Sequence, residues 1–415
     1  MGPRKPTPRV RGRAPGFSLV ETMIAIAIGL VILAGIVTIF IAQRGVVNSA
    51  TAQAFIQDDW NAVSGLMVAD LNDAGFMGCN TIAGNDNVVV SNTGADPWVF
   101  SRGDFSAPVF GFDFNGTAGG GAYTLSGANP AADGSGSDWS PALPGSLVAL
   151  PEPGSDVLVV DGAIPGAHPL GVPVLSQQSD PNTFTVYDSA SSSPEQSPIV
   201  WQTLQKSVLG LQISAMAISD CAKSSTFVPV MSVDSAGVGA VDNPVAVAGT
   251  GGPGAGNATT SIEPVYQSGV QALPVQQVAY YVAQGPDGQP GLFRAVMVDG
   301  AWQAEEIAPG VINMQILYGI GINGQNEGYL SADQVQALAA NPPPGVTVLP
   351  YNPWLGVQDV RIALLAQGAL GSAPVRSTPT TWDVLGTTVT VPADTRMRHV
   401  MTFDVQLRNS AFVQQ

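Results

Sequence analysis

At 415 residues the chain is much longer than one small core requires, yet only 11% of it is charged and 81 residues (48 Gly plus 33 Pro) turn or break the backbone. Such a composition favours strands, turns and long loops over helix bundles. The formal charge is −16, but Arg4, Lys5, Arg9, Arg11 and Arg13 supply five of the fifteen basic residues, so the rest of the chain carries 10 minus 31, or −21; a polyanion repels phosphate backbones, which argues against direct nucleic-acid binding and reads most simply as solubility outside the cell.

Residues 1–16 (MGPRKPTPRVRGRAPG) are basic, with Pro3, Pro6 and Pro8 close together. They cannot hold a helix of any length and read as a cytoplasmic leader. Next comes FSLVETMIAIAIGLVILAGIVTIFIAQR, in which Met23 to Ala42 is a run of twenty residues without a charge. At about 1.5 Å per residue this run matches a ~30 Å hydrocarbon core. Positive charge before the run and little after it places the carboxyl side outside the cytoplasm. A cleavable secretory signal is the competing reading, and Ala50-Thr51-Ala52 offers it a small-x-small site. Its apolar region, however, runs about 7 to 15 residues, whereas this one is longer and starts with an embedded acid, Glu21. A carboxylate at the edge of a span costs free energy unless it is paired, so Glu21 is a functional candidate.

The junction Gly16-Phe17-Ser18-Leu19-Val20-Glu21, behind a basic leader, resembles the type IV prepilin signal. The resemblance implies that a membrane-embedded prepilin peptidase cuts between Gly16 and Phe17 and that the new amino terminus, Phe17, is N-methylated. It also implies that Glu21 pairs with the mature amine of a neighbouring subunit and sets register as helices slide into a filament. A buried pair of this kind serves register better than stability.

The helix is predicted to continue beyond the membrane to about Ala74. Ile56, Trp60, Val63, Met67 and Leu71 recur at spacings of four and three, while Asp58, Asp59, Asp70 and Asp73 fall mostly off that face. Gly75 and Gly78 are the stop signals.

From Cys79 onward short apolar runs alternate with turn residues. Val88–Val90, Asp156–Val160, Leu209–Ile218, Gln277–Val282, Leu292–Val298, Ile312–Tyr318, Val357–Leu365 and Met401–Leu407 read as strands. Gly285-Pro286-Asp287-Gly288 and Val298-Asp299-Gly300 read as hairpin turns. One short helix is expected at Ser331–Ala340, capped by Ser331. Residues 91–155 and 233–262, rich in Gly, Ser, Ala, Asn and Pro, suit long loop insertions.

The two cysteines, Cys79 and Cys221, have no Cys or His at metal-ligand spacing, and His168 and His399 are the only histidines, so a zinc site has no support. In an exported head the two thiols can form a disulfide, closing 142 positions (221 minus 79), for which chain entropy gives roughly 4 to 5 kcal/mol at most. Two buried free thiols are the alternative.

The order of motifs along the head resembles PilW-type minor pilins. These motifs are Asp70-Leu71-Asn72-Asp73-Ala74-Gly75-Phe76-Met77-Gly78-Cys79, the strand at Asp156–Val160, Ile218-Ser219-Asp220-Cys221 followed by Phe227, Tyr280-Tyr281-Val282 before Gly291-Leu292-Phe293-Arg294, Ile307-Ala308-Pro309-Gly310-Val311, Gln315-Ile316-Leu317-Tyr318-Gly319, and Phe403 to Leu407 with Arg408-Asn409. The family's usual basic residue between Glu306 and Gly310 is absent here, and the insertions are long, which implies a different exposed face.

The resemblance implies an α+β, pilin-like fold: a leader at 1–16, a helix at 17–75 that spans the membrane over about 17–43, and a large antiparallel β-rich head at 76–415. The implied function is a low-copy minor pilin, not an enzyme, that primes type IV pilus assembly and sits at or near the tip. Implied partners are other minor pilins, the major pilin, the prepilin peptidase and a tip adhesin. The implied location is the inner membrane of a Gram-negative bacterium, with the head in the periplasm, and then the pilus. Two other readings make the head a ligand-binding adhesin or the chain a type II secretion pseudopilin.

Other signals are weak. Arg102-Gly103-Asp104 is a three-residue match of the kind chance supplies. Asp133, Ser135, Ser137 and Asp138 alternate like a calcium loop but lack its closing Glu. The glycines Gly119, Gly120 and Gly121 follow no strand-to-helix pattern for phosphate, and no G-x-S-x-G elbow accompanies the two histidines. No cofactor is expected.

Overall fold

The computed structural model describes residues 16, 18–78, 80–81, 85–88, 107–115, 117, 119–125, 138–143, 151–164, 170–171, 183–185, 187–188, 215–220, 224–227, 230–233, 239–242, 270–298, 301–322, 325–342 and 352–410. One helix, α1 (Leu19–Asp73), takes up 55 residues, or roughly 80 Å of rise. Ser18, in extended conformation, begins it, and the Thr22 amide donates to the Ser18 carbonyl at 3.1 Å. Ala74 leaves the helical region, Gly75 follows at φ 72°, and the Gly75 amide donates to the Asp161 carbonyl at 2.7 Å. The glycine stop thus falls where the sequence places it, because only a left-handed residue turns the chain back onto the sheet.

The two halves of α1 differ. Residues 18–48 are exposed throughout, and burial begins at Ser49. Beyond it Ala52 is buried, and so are Ile56, Val63, Met67 and Leu71 of the stripe read from the sequence. Each large side chain among them contributes roughly 1.5–3 kcal/mol by leaving water. Trp60 completes the stripe edge-on to Phe403, ring centroids 5.1 Å apart.

The head carries strands β1 (Phe76–Met77), β2 (Val109–Phe114), β3 (Ala122–Thr124), β4 (Val157–Ala163), β5 (Ala215–Ser219), β6 (Ser224–Phe227), β7 (Gln271–Gln284), β8 (Pro290–Val298), β9 (Ala301–Pro309), β10 (Val311–Ile322), β11 (Gln325–Leu330), β12 (Val357–Gln367), β13 (Thr380–Val384), β14 (Thr387–Val391) and β15 (Arg398–Gln406). The long β7 organises the first sheet. On one side it pairs with β5 and then β8, on the other with β4, and β4 continues to β2. A second sheet runs β11-β10-β12-β15, all antiparallel. Its register puts Met314, Ile316 and Tyr318 on the face shared with Leu364, Ile362 and Val360, all in the main core with Met67 and Leu71. The opposite face, with Ala363 and Leu365, meets a small sheet of β13, β14 and β3 through Val384, Val389 and Val391. The α+β, largely antiparallel class is therefore observed.

The hairpin at Gly285–Gly288 is present, with the Gly285 amide donating to the Gln289 carbonyl at 2.7 Å and Gly288 at φ 73°. β8 and β9 also pair antiparallel around the second turn, whose Asp299 and Gly300 lie outside the described residues. The short helix, α2 (Ala332–Ala337), carries a capping box between Ser331 and Gln334.

Two expectations change. Within 91–155, β2 is a core strand: Val109, Phe110 and Phe112 are buried and pair with β4, so this stretch is not a loop insertion throughout. The sequence Val-Phe-Gly-Phe-Asp-Phe hid it because Gly111 interrupts the run; a Cβ there would overlap the Tyr318 hydroxyl, so the glycine is a close approach between sheets. Within 233–262, Gly239–Asp242 pairs with Val230–Val233. The remainder of both stretches lies largely outside the described residues.

Candidate functional site

The exposed half of α1 is the first candidate. Leu19, Val20, Ile24, Leu30, Val31 and Phe40 are among its exposed apolar side chains. By length and composition this helix can cross a membrane. Glu21 lies in its first turn and is exposed, where the helix dipole favours a carboxylate. Gly16 is exposed, and Phe17 lies outside the described residues. Gly29, Gly35 and Gly45 have nothing within 4 Å of a Cβ added to them, so this half makes no contact with the head there.

The other half is fixed to the head by a buried cluster that the sequence did not reveal. Asp70, placed mostly off the apolar face by periodicity, is buried. Arg294 of β8 donates to it from Nε (2.9 Å) and Nη2 (3.2 Å), and the Tyr280 hydroxyl of β7 donates to it at 2.6 Å. Burial, then the Asp70 charge, pushes the Tyr280 hydroxyl well above its ordinary range. Burial alone would lower Arg294, but the hydrogen bonds and charge of Asp70 raise it on balance. Next to this cluster, Asn409 Nδ2 donates to the Asn72 and Ala74 carbonyls (3.2 and 3.1 Å), satisfying groups that the end of α1 leaves open. The chain that follows β15 thereby closes over the top of the helix.

A second buried constellation joins the two sheets. Asp156 accepts from the Phe114 amide at 3.2 Å and the Ile316 amide at 2.8 Å, so one carboxylate ties β2 to β10. Asp113 is buried beside it. Burial, then the charge of Asp333 in α2, pushes Asp113 up to about 7, although its hydrogen bond with Asp156 pulls the other way. Asp156 is held well above the usual carboxylate range by burial and by Asp113. Two carboxyl groups this close share a proton. Their surroundings are strands and core, so they serve as a fastening between sheets.

Cys79 and Cys221 lie outside the described residues. The chain next to each of them does converge: a Cβ on Gly78 would lie 3.7 Å from the Cβ of Ser219. His399 is an exposed residue of β15, whereas His168, Arg102, Gly103, Asp104, Asp133, Ser135 and Ser137 lie outside the described residues.

The family model described as type IV pilus-assembly protein W matches residues 279–409, from the middle of β7 through β15 to Asn409. The prokaryotic N-terminal methylation motif matches residues 11–37. A solved type IV-like pilin from Thermus thermophilus is similar over 33% of this chain and 69% of that chain, at 19% identity and a TM-score of 0.20. No curated protein matches the sequence. The methylation motif thus falls on an apolar N-terminal helix whose other half packs on an antiparallel head, an arrangement similar to that of type IV pilin-like proteins. Over residues 279–409 the chain is similar to the type IV pilus-assembly protein W family, and that segment includes Tyr280, Arg294 and Asn409, which hold the helix.

Proposed function

We propose that this chain is a minor pilin that primes type IV pilus assembly and is incorporated at or near the pilus tip. The supporting observation is the division of α1: its upper half is fastened to the head, while its lower half offers an unbroken apolar surface with one acid, Glu21, in the first turn. That surface suits two successive environments, the inner membrane and the helical core of a filament. The head stands in the periplasm before assembly and is displayed on the pilus afterwards. Cleavage between Gly16 and Phe17 frees an amine four residues before Glu21, and N-methylation keeps it cationic, so a neighbouring helix amine and the Glu21 carboxylate become partners. Other minor pilins and the major pilin supply those neighbours, and the prepilin peptidase acts first.

The test is Glu21→Ala in the native host. Cleavage and membrane insertion persist, whereas recovery of the protein in sheared pili, and pilus number, fall. Normal incorporation and normal piliation in that variant overturn the role given to Glu21. Amino-terminal analysis of the mature chain should give N-methylated Phe17, and a start near Gln53 would replace the prepilin reading with an ordinary secreted protein.

A further inference from the structure

Among the described residues, the large apolar side chains left exposed lie on α1, at or before Phe55, with two exceptions: Leu370, 66% exposed, and Val375, 83% exposed. Both belong to residues 368–376, the connection that leaves β12. This segment descends along α1. A Cβ on Gly368 would meet Ala52, Ser49 Oγ donates to the Ser372 carbonyl at 2.6 Å, and a Cβ on Gly371 would lie 3.9 Å from Asn48 Nδ2. Leu370 and Gly371 therefore form the low end of the head, at the level where burial of α1 begins.

The segment is firmly built. Gly371 N donates to Thr395 Oγ1 (2.9 Å), Ala373 N to the Thr395 carbonyl (2.8 Å), Met397 N to Ser372 Oγ (2.8 Å), and Arg396 Nη1 to the Gly368 carbonyl (3.1 Å). Leu370 and Val375 thus project from a fixed frame, and their burial against a partner costs little ordering entropy.

We infer that residues 368–376 form a second membrane contact, in which Leu370 and Val375 enter the interface of the outer leaflet beside the spanning helix and seat the head on the bilayer. The inference rests on the spanning role of α1. Asn48 lies six residues after Ala42, about 9 Å of rise, and the headgroup layer on one side of the ~30 Å core is itself about 5–8 Å deep. A leucine projecting from that level enters the headgroup layer. The charge agrees. Of the ten basic residues after the leader, Arg44, Arg376 and Arg396 stand at this end, although the chain beyond the leader carries −21, whereas Arg398 is buried against Asp394 and Gln367. Arg44 lies over the Phe40 ring at 4.6 Å, one turn below Asn48, and Asp394 sits between Arg396 and Arg398. Arg44 and Arg376 at that level suit anionic phospholipid headgroups.

The test uses the mature full-length chain in nanodiscs of phosphatidylethanolamine and phosphatidylglycerol, with the photocrosslinking residue benzoylphenylalanine at position 370. Position 32, inside the apolar run, and position 406, an exposed site beside the far end of α1, carry the same probe as references. Lipid adducts read by mass spectrometry are expected at 32 and at 370, many-fold above 406. Lipid adducts at 32 with none at 370, or adducts at 370 only to a second protein chain, overturn the membrane contact and leave the spanning helix standing. Absence of lipid adducts at 32 overturns the spanning helix, and the contact falls with it.

Discussion

The Asp113–Asp156 pair makes stability of the head depend on pH in an unusual direction. Asp113 is pushed from 3.8 up to about 7 in the folded chain, so the folded state holds a proton that the unfolded chain has released by mid-acid pH. A carboxyl group with a raised folded value adds its stability fully below the unfolded value and loses it as pH rises through the folded one. The window is therefore from about 4 to about 7, and the difference of roughly 3 units corresponds to ~4 kcal/mol across it. Asp113→Asn keeps a neutral donor and acceptor beside Asp156 and removes the Asp113 titration, leaving that of Asp156, which burial still raises. Thermal or urea unfolding of the detergent-solubilised mature chain should show the wild type losing stability between about pH 4.5 and 8. The Asn variant should lose less and exceed the wild type at the alkaline end of that range. Comparing the two proteins cancels the opposite trend from Asp394 and Asp404, whose arginine partners hold them below the usual range. If the wild-type-minus-variant difference does not change with pH, the two carboxyl groups do not share a proton and the reasoning fails.

Other perturbations test the helix seat and the cross-link. Arg294→Leu leaves Asp70 buried with only Tyr280, so urea unfolding should show a loss of about 3–5 kcal/mol; a loss under about 1 kcal/mol would mean the pair is solvated. Asn409→Ala uncovers the Asn72 and Ala74 carbonyls and should cost about 1 kcal/mol in the same assay. We propose that Cys79 and Cys221 are bridged, since Gly78 and Ser219 already converge. A thiol reagent should label neither cysteine in unreduced, unfolded protein and both after reduction, and labelling before reduction would refute the bridge.

Much of the fold was legible because its signals are local. A charge-free run, a stripe of apolar residues at helical spacing, a Gly-Pro-Asp-Gly turn and a Ser with Gln three residues on each act within a few positions, and the helix, hairpin and capped α2 follow from them. β2 was missed for the converse reason. Gly111 weakens the local strand signal, and its justification, the Tyr318 hydroxyl directly above it, comes from a strand far along the chain.

Asp70 shows where reading from periodicity stops. Asp58, Asp59, Asp70 and Asp73 are chemically alike on one helix, and spacing alone assigns all four mainly to the solvent side. What separates Asp70 is that Tyr280 and Arg294 stand opposite each other in the register of β7 and β8, so two donors converge on one point of the helix. Neither donor is near Asp70 in sequence, and neither strand on its own indicates which side faces α1. An acid enters a core when the fold delivers its donors. The exposed half of α1 follows from the same logic. Its apolar residues were legible as a membrane span, but nothing local marks the boundary at Ser49, where the head stops covering the helix. That boundary depends on how far residues 368–376 reach down, and it divides α1 into a part that the head covers and a part that it leaves exposed.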